Sequence, residues 1–89
     1  MIAEKIQSNQ KPLGRSLSSL KIGQRAKVLS IHISDKKVKN HLLDMGLIIG
    51  TEVQLKRIAP MGDPMNLWLR GYELSVRRAE LDMIYVEVL

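Results

Sequence analysis

A helix that must stop at a defined position is the feature that most constrains the fold of this chain of 89 residues. Val38, Leu42 and Met45 recur at the spacing of one helical face. Gly46 follows at once, and glycine adopts the left-handed conformation that ends many helices without a steric cost. The sequence therefore predicts a short amphipathic helix that ends at Gly46.

A tight turn and a strand are predicted after this helix. Ile49-Gly50 suits the centre of a turn whose second central residue needs a positive φ. Val53 and Leu55 then alternate with polar neighbours, which is typical of a strand with one buried face. Pro60 ends that strand, because proline cannot donate a hydrogen bond to a neighbouring strand, and it opens a loop rich in turn-forming residues.

The rest of the chain is predicted to add further short strands. Ala26 and Val28 would face one side of a strand, whereas Leu29 and Ile31 follow the opposite phase. A slip by one residue predicts a β-bulge or a sharp bend. The later predicted elements are a hairpin turn at Gly71-Tyr72, a helical turn over residues 77–81 and a last strand through Ile84, Val86 and Val88. About five short strands with one short inserted α-helix predict a mainly β fold, a small SH3-like barrel.

The composition limits the chemistry that the protein can perform. The chain contains no Cys, which excludes disulfides, thiolate metal sites and cysteine nucleophiles. It contains two His, and no predicted face carries paired carboxylates, so neither catalysis nor a cofactor is expected. Phe is absent and aromatic residues are few, which argues against base stacking, and no nucleic-acid partner is expected. The net charge of +5 favours an acidic partner or an anionic membrane face.

The chain is predicted to form one domain preceded by an arm. Residues 1–16 are mostly polar, and Pro12 and Gly14 would break any helix begun there, so a flexible N-terminal arm is expected. Residues 17–89 are expected to form the barrel. The sequence shows neither the apolar run of a signal peptide nor a segment of membrane-spanning length, and we therefore expect a cytoplasmic protein.

Two segments punctuated by glycine resemble the signature of the FeoA family, Leu42-Leu43-x-Met45-Gly46-Leu47-x-x-Gly50-Thr51 followed by Ala59-Pro60-Met61-Gly62-Asp63-Pro64. These small cytoplasmic proteins accompany the bacterial ferrous-iron transporter FeoB. The resemblance covers roughly residues 17–88 and implies an SH3-like domain that associates with the cytoplasmic part of FeoB and supports or regulates iron uptake, peripheral at the inner membrane through that partner. Ile49 departs from the proline that the family commonly has there.

Several residues of these segments and of the strand that follows them are candidate partner contacts. The candidates are Leu47, Met61, Asp63, Pro64 and Trp68. Met61 and Pro64 would lie at the tip of a loop, which we expect beside Leu47, and grouped exposed apolar residues mark docking surfaces. Alternatively, Met61 is a core residue. The alternative role of Asp63 is a hydrogen bond to the backbone of its own loop. Trp68 is either a lid over the sheet or an exposed anchor for a partner.

Lysines crowd the start of the predicted helix. Ser34 or Asp35 is the expected N-cap, and Lys36, Lys37 and Lys39 follow. Cations are unfavourable at the positive end of the helix dipole. The three lysines are either a solvated face or a patch that steers association with an acidic surface.

His41 and Asp44 are weak candidates for metal ligands. They are three residues apart on the predicted helix and could face the same way, but a site would need further ligands. Solvated or core-edge histidines are the favoured interpretation, also for His32, and no metal site is expected. Iron enters only through the resemblance, as the cargo of the transporter.

A second function stays open from the sequence. A similar barrel occurs as an accessory domain of iron-dependent repressors, so the chain could act on a transcription factor or on nucleic acid. It has no helix-turn-helix pattern of its own, which counts against direct reading of an operator. The sequence is compatible with a homo-oligomer and does not determine the oligomeric state.

Overall fold

A computed structural model describes residues 12–89 of the chain. The elements are β1 (Arg15–Ser16), a 3-10 turn (Leu17–Ser19), β2 (Arg25–Ile31), α1 (Lys36–Asp44), β3 (Glu52–Ile58), β4 (Met65–Leu69), β5 (Tyr72–Val76), α2 (Arg78–Leu81) and β6 (Ile84–Val88). Most of the predicted N-terminal arm lies outside the described residues. Because Arg15 and Ser16 pair with β6, the barrel begins before the predicted boundary at residue 17.

The strands form a single antiparallel sheet of six strands in the order β1-β6-β2-β3-β4-β5. The mainly β fold with one short helix inserted between strands is confirmed. The strand beyond the predicted five is β1, which has only two residues and no alternating pattern that sequence analysis could detect. α2 occupies the predicted helical turn and leads from β5 to β6.

Two irregularities change which side chains face inward. The register of β2 against β6 shifts between Val28 and Ser30, which confirms the bulge predicted from the change of phase. A second shift lies between Leu55 and Arg57, where β3 pairs with β4 and Lys56 is the extra residue. Bulges of this kind bend a strand and increase its twist, as a small curled sheet requires.

The interior is aliphatic. The largest fully buried side chains are Leu17, Leu47, Leu55, Met65, Leu67, Leu69, Leu81, Ile84, Val28, Val53 and Val86. Eight of them lie on β2, β3, β4 and β6, and the other three lie on the 3-10 turn, between α1 and β3, and on α2. The strand β5 adds Leu74 and Val76, which are slightly more exposed. Burying one such side chain stabilises the fold by roughly 1.5–3 kcal/mol, so this core holds the barrel together.

Asp35 caps the start of α1. Its Oδ1 accepts hydrogen bonds from the backbone amides of Lys37 (2.9 Å) and Val38 (3.3 Å). Of the two predicted caps, the structure therefore selects Asp35 over Ser34. The carboxylate also offsets the lysines that follow it, since a negative charge is favourable at this end of a helix.

α1 ends as predicted, with a left-handed Gly46 at φ 97°. The amide of Leu47 donates to the carbonyl of Leu42 at 3.0 Å, and that of Gly46 donates to Leu43 at 2.9 Å. This pair of bonds is the Schellman motif, in which the residue after the glycine packs back on the helix. Leu47 is consequently 0% exposed.

The turn after Leu47 is tied to β2. Thr51 donates its amide to the carbonyl of Ile48 at 3.1 Å, and Gly50 has a φ of 92° in that turn. The amide of Gly50 donates to the carbonyl of Val28 at 2.8 Å, and the amide of Val28 donates to Thr51 at 2.9 Å. We call residues 46–51 the helix-end segment, and the predicted tight turn within it is confirmed.

The hairpin between β4 and β5 turns one residue earlier than predicted. Leu69 pairs with Tyr72, which leaves Arg70 and Gly71 as the turn, where the sequence predicted Gly71 and Tyr72. Both turn residues have positive φ, 51° and 86°, as a type I′ turn requires. The prediction failed because an arginine rarely adopts this conformation.

Candidate functional site

Leu47 does not belong to a docking surface. It is 0% exposed, because the Schellman motif turns it onto α1 and into the core. The loop that carries Met61 begins after Ile58, at the far end of β3, whereas Leu47 precedes the first residue of that strand. A strand of this length separates its ends by about 20 Å. The predictions that Leu47 is a contact and that it lies beside Met61 are therefore wrong.

The β3–β4 loop, residues 59–64, presents Met61 to solvent. The amide of Ala59 donates to the carbonyl of Pro64 at 3.0 Å, and the amide of Gly62 donates back to Ala59 at 2.7 Å. These bonds close the loop and leave Met61 at its tip, where it is 92% exposed. The alternative of a core position for Met61 is thereby excluded.

Asp63 connects this loop to α2. Its Oδ1 accepts a hydrogen bond from the backbone amide of Arg78 at 2.9 Å, at the first residue of the helix. The guanidinium of Arg78 in turn donates to the carbonyl of Gly62 at 3.2 Å. Asp63 thus binds another element rather than its own loop, and its exposed neighbour Pro64 lies beside Arg77.

Trp68 is an exposed side chain on the outer face of β4. It points away from Leu67 and Leu69, which are buried, and it is 42% exposed. The Nζ atom of Lys56 lies 5.8 Å from the centroid of its ring, within the range of a cation–π interaction. An exposed position is the one expected of an anchor rather than of a lid, and a contact with a partner stays a prediction.

A polar network lies next to Trp68 on the same outer face. Glu73, directly opposite Trp68 on β5, accepts hydrogen bonds at its Oε2 from Asn66 (2.9 Å) and from the Nε of Arg57 (2.8 Å). The bond from Asn66 and then the bond and charge of Arg57 lower the pKa of Glu73. An ionised Glu73 therefore links β3, β4 and β5 on this face.

A groove beside the hairpin brings Trp68 together with residues that sequence analysis missed. One depression lies between Glu52 and Arg70 along Trp68, and a second continues past Ile48 and Ile49. We call these five residues the hairpin groove. Ile48, Ile49 and Trp68 are 37%, 66% and 42% exposed. Among residues 12–89, no ion pair involves Arg70, so its guanidinium has no carboxylate partner in that range and lies next to apolar side chains.

Arg70 reaches the groove because Gly46 leaves room for it. A Cβ atom built at Gly46 would lie 2.8 Å from Cδ and 3.2 Å from Nε of Arg70. The arginine side chain therefore lies against the carboxyl end of α1, where a cation is favourable to the helix dipole. Of the five residues of the groove, the sequence predicted only Trp68 as a contact, and the departure of Ile49 from the family proline was noted without a role.

The three lysines do not lie at the hairpin groove. Lys36 and Lys37 are exposed in the first turn of α1, and Lys39 is half-buried. The groove lies at the other end of the helix, beside Gly46. The lysines consequently form a separate basic region.

The metal candidates stay isolated. His41 and Asp44 are both exposed on α1. His32 packs its ring edge-on against Tyr85 at 5.6 Å and forms a 3.0 Å hydrogen bond with Ser30. Within residues 12–89, no three or more His, Cys, Asp and Glu side chains are grouped so that they could hold a metal ion. In the same range, no helix is long and apolar enough to cross a membrane.

The sequence as a whole matches one known family. A family model described as "FeoA domain" matches residues 15–88. The chain belongs to the FeoA family. The match begins at Arg15, the first residue of β1, and it confirms the resemblance of the two glycine-punctuated segments. FeoA proteins are associated with ferrous iron transport.

Solved FeoA structures share the architecture of this chain. The FeoA-like protein of Clostridium acetobutylicum is 43% identical, with a TM-score of 0.77 over 89% of this chain and 91% of that one. The FeoA of Stenotrophomonas maltophilia, described as an SH3 domain protein complexed with zinc, is 22% identical, with a TM-score of 0.72 over 83% and 91%. The second likeness concerns the fold alone, and it confirms the SH3-like barrel.

The same fold occurs in a larger regulatory protein. A manganese-dependent transcriptional repressor has a TM-score of 0.80 to this FeoA protein at 15% identity. The match covers 89% of this chain but only 38% of the repressor. At this identity the likeness concerns the fold alone.

Proposed function

We propose that this FeoA protein is a non-enzymatic interaction module that associates with the cytoplasmic part of a FeoB-type transporter and supports or regulates ferrous iron uptake. It acts in the cytoplasm and reaches the inner membrane through that partner. The observation that carries the proposal is the exposed Trp68, which stands in a groove with two isoleucines and a cation. Family membership supplies the link to iron transport.

The hairpin groove has the composition of a binding site for a protein. Trp and Arg are the residues most enriched in interface hot spots, and grouped apolar side chains in solvent mark docking surfaces. Glu52 already accepts from Arg25 at 2.6 Å, so Arg70 is the cation that can pair with a carboxylate of the partner. The expected contact on the partner is an apolar side chain next to an acidic one.

Two further surfaces support the same association. Met61 and Pro64 are exposed on the β3–β4 loop, which lies at the far end of β3 from the helix-end segment. Lys36, Lys37 and Lys39 add positive charge, which speeds the encounter with an acidic surface without contributing much to affinity. Asp63 is assigned to positioning the loop through its bond to α2.

The test is binding to full-length FeoB in detergent, compared with its isolated GTPase domain. Trp68→Ala is expected to weaken binding by at least about tenfold, as the loss of a hot-spot side chain does. Met83→Ala is the matched control, because Met83 is 45% exposed and lies before β6, away from the groove. Equal binding of the two variants would overturn the assignment of the groove, and no binding of wild-type protein would overturn the partner.

A second candidate function is regulatory, and it is suggested by the fold that this chain shares with part of a repressor. In this alternative the barrel would act on a transcription factor or on nucleic acid. Direct binding to duplex DNA would fall steeply as salt increases, because phosphate contacts release counterions. Salt-dependent DNA binding without FeoB binding would favour this candidate over the first.

A further inference from the structure

The strand β5 lies at one end of the sheet and has an open edge. Among the described strands it pairs with β4 alone. The short turn makes Leu69 and Tyr72 a hydrogen-bonded pair, and this pattern repeats at every second residue of an antiparallel ladder. The backbone groups of Glu73 and Ser75 therefore point away from β4, toward the edge.

This edge lacks two of the devices that protect edge strands. Within residues 12–89, the amides of Glu73 and Ser75 take part in no turn or loop hydrogen bond. β5 contains no proline, and its register against β4 has no bulge, although both devices commonly protect edge strands. The extended backbone continues through Arg77, with φ −66° and ψ 142°, before α2 begins. The carbonyl of Arg77 accepts hydrogen bonds from the first turns of α2, at 3.1 and 3.2 Å. The open edge therefore consists of the backbone groups of Glu73 and Ser75 and the amide of Arg77.

The edge is complementary to itself. Glu73, Ser75 and Arg77 alternate along it as a negative, a neutral and a positive side chain on one face. If Ser75 of two copies lie opposite each other in an antiparallel pair, two-fold symmetry places each Glu73 opposite the Arg77 of the other copy. The opposite charges then meet twice, at the distance at which cross-strand pairs interact.

Glu73 can take part in such a pair without losing its present partners. Its Oε2 accepts the short bonds from Asn66 and Arg57, at 2.9 and 2.8 Å. Its Oε1 has only a 3.4 Å contact with Arg57 in the part of the chain that the structure describes. That oxygen is available to the second arginine.

We propose that two copies of this chain associate antiparallel along β5, with Ser75 opposite Ser75 and Glu73 opposite Arg77. The two barrels then share one continuous sheet. Leu74 and Val76 stay inside each barrel, so the pairing needs no repacking. The two Trp68 side chains lie on the same outer face, three strand spacings (about 14 Å) apart across the sheet and four residues (about 13 Å) apart along the strands.

The proposal is tested by sedimentation equilibrium between about 10 μM and about 1 mM protein. Wild-type protein is expected to dimerise in this range. Glu73→Arg and Arg77→Glu are each expected to weaken the dimer by about tenfold, because like charges face each other twice. An equimolar mixture of the two variants is expected to form a heterodimer, since every pair is again of opposite sign.

Two controls keep the outcome clear. Glu87→Arg reverses an exposed charge on β6 and is expected to leave association unchanged. For wild-type protein, amide exchange at Glu73 and Ser75 is expected to slow as concentration rises, which needs no variant and so is unaffected if Glu73→Arg unfolds. A monomer at all concentrations, a dimer that Arg77→Glu does not weaken, or exchange independent of concentration would each overturn the proposal.

Discussion

The helix-end segment and the β3–β4 loop look alike in sequence and differ in structure. Each is a short stretch punctuated by glycine at one end of β3. The helix-end segment is bonded to α1 and to β2 and sends Leu47 into the core, at 0% exposure. The β3–β4 loop bonds within itself and to α2, and leaves Met61 92% exposed. Two segments that both contain glycine therefore place an apolar residue in the core at one end of β3 and on the surface at the other.

What separates the two is the position of the apolar residue relative to the glycine. Leu47 follows a helix-terminating glycine, and the Schellman bonds turn such a residue back onto the helix. Met61 precedes Gly62 within a closed loop that follows a strand, so there is no preceding helix onto which it could pack. A family signature can thus combine a residue that is needed for folding with one that is available for contacts.

The largest expected effect is at the buried end of this comparison. Leu47→Ala should lower the free energy of unfolding by about 2–5 kcal/mol, because it leaves a cavity in the core. Urea unfolding followed by circular dichroism measures the change. Ile49→Ala, two residues away and 66% exposed, is the control, with an expected change within about 0.5 kcal/mol. Similar losses for both variants would contradict the contrast.

The two glycines of the helix-end segment should differ from each other. Alanine at either position faces a left-handed backbone, which costs roughly 1–2 kcal/mol. Gly46→Ala adds a Cβ only 2.8 Å from Cδ of Arg70, whereas a Cβ at Gly50 meets nothing within 4 Å. Gly46→Ala should therefore be the more destabilising of the two in thermal unfolding.

A double-mutant cycle isolates the contact between Gly46 and Arg70. Combining Gly46→Ala with Arg70→Ala should recover the excess over Gly50→Ala, because the crowded side chain is gone. The same Arg70 substitution should not rescue Gly50→Ala. Full additivity of Gly46→Ala and Arg70→Ala would show that the backbone alone accounts for the cost.

In the β3–β4 loop, the largest effect is expected at Asp63. Asp63→Ala removes the acceptor for the amide of Arg78 and should cost about 1 kcal/mol, as the loss of a helix cap does. Chemical denaturation provides the value. Asp44→Ala is the control, since Asp44 is exposed at the negative end of α1 and its removal should not destabilise the fold. A loss at Asp44 equal to that at Asp63 would refute the capping role.

The smallest effect on stability is expected at Met61. Met61→Gln should change the free energy of unfolding by less than about 0.5 kcal/mol, because the side chain is 92% exposed. The same variant, titrated against FeoB, reports whether the loop is a contact. A stability loss comparable to that of Leu47→Ala would mean that the loop packs against the barrel.

Local signals in the sequence predicted much of this fold. The end of α1 at Gly46, the turn at Gly50 and the bulge after Val28 each depend on a few neighbouring residues, and each was predicted. The hairpin turn was misplaced by one residue, because Arg70 adopts a positive φ that its type disfavours. The bulge at Lys56 was not predicted, because apolar and polar residues alternate regularly before it.

The candidate site was harder to predict because it depends on distant elements. Alternation placed Trp68 opposite Leu67 and Leu69, but its exposure depends on what covers the outer face of the sheet. The meeting of Ile49 with Arg70 requires both the hairpin geometry and the space above a glycine on another element. Neither the hairpin geometry nor this space can be predicted from a short stretch of sequence.

The bulge at Lys56 makes β3 tolerant to a change in its length. Leu55 and Ile58 both pair with inward-facing residues of β4, although an odd number of positions separates them. Removing Lys56 would restore simple alternation and leave Leu55, Arg57 and Ile58 on the faces they now occupy. Elsewhere in the strand, the same deletion would turn every later side chain inside out. Homologues one residue shorter at this point can therefore keep the same barrel, at the expense of the cation over Trp68.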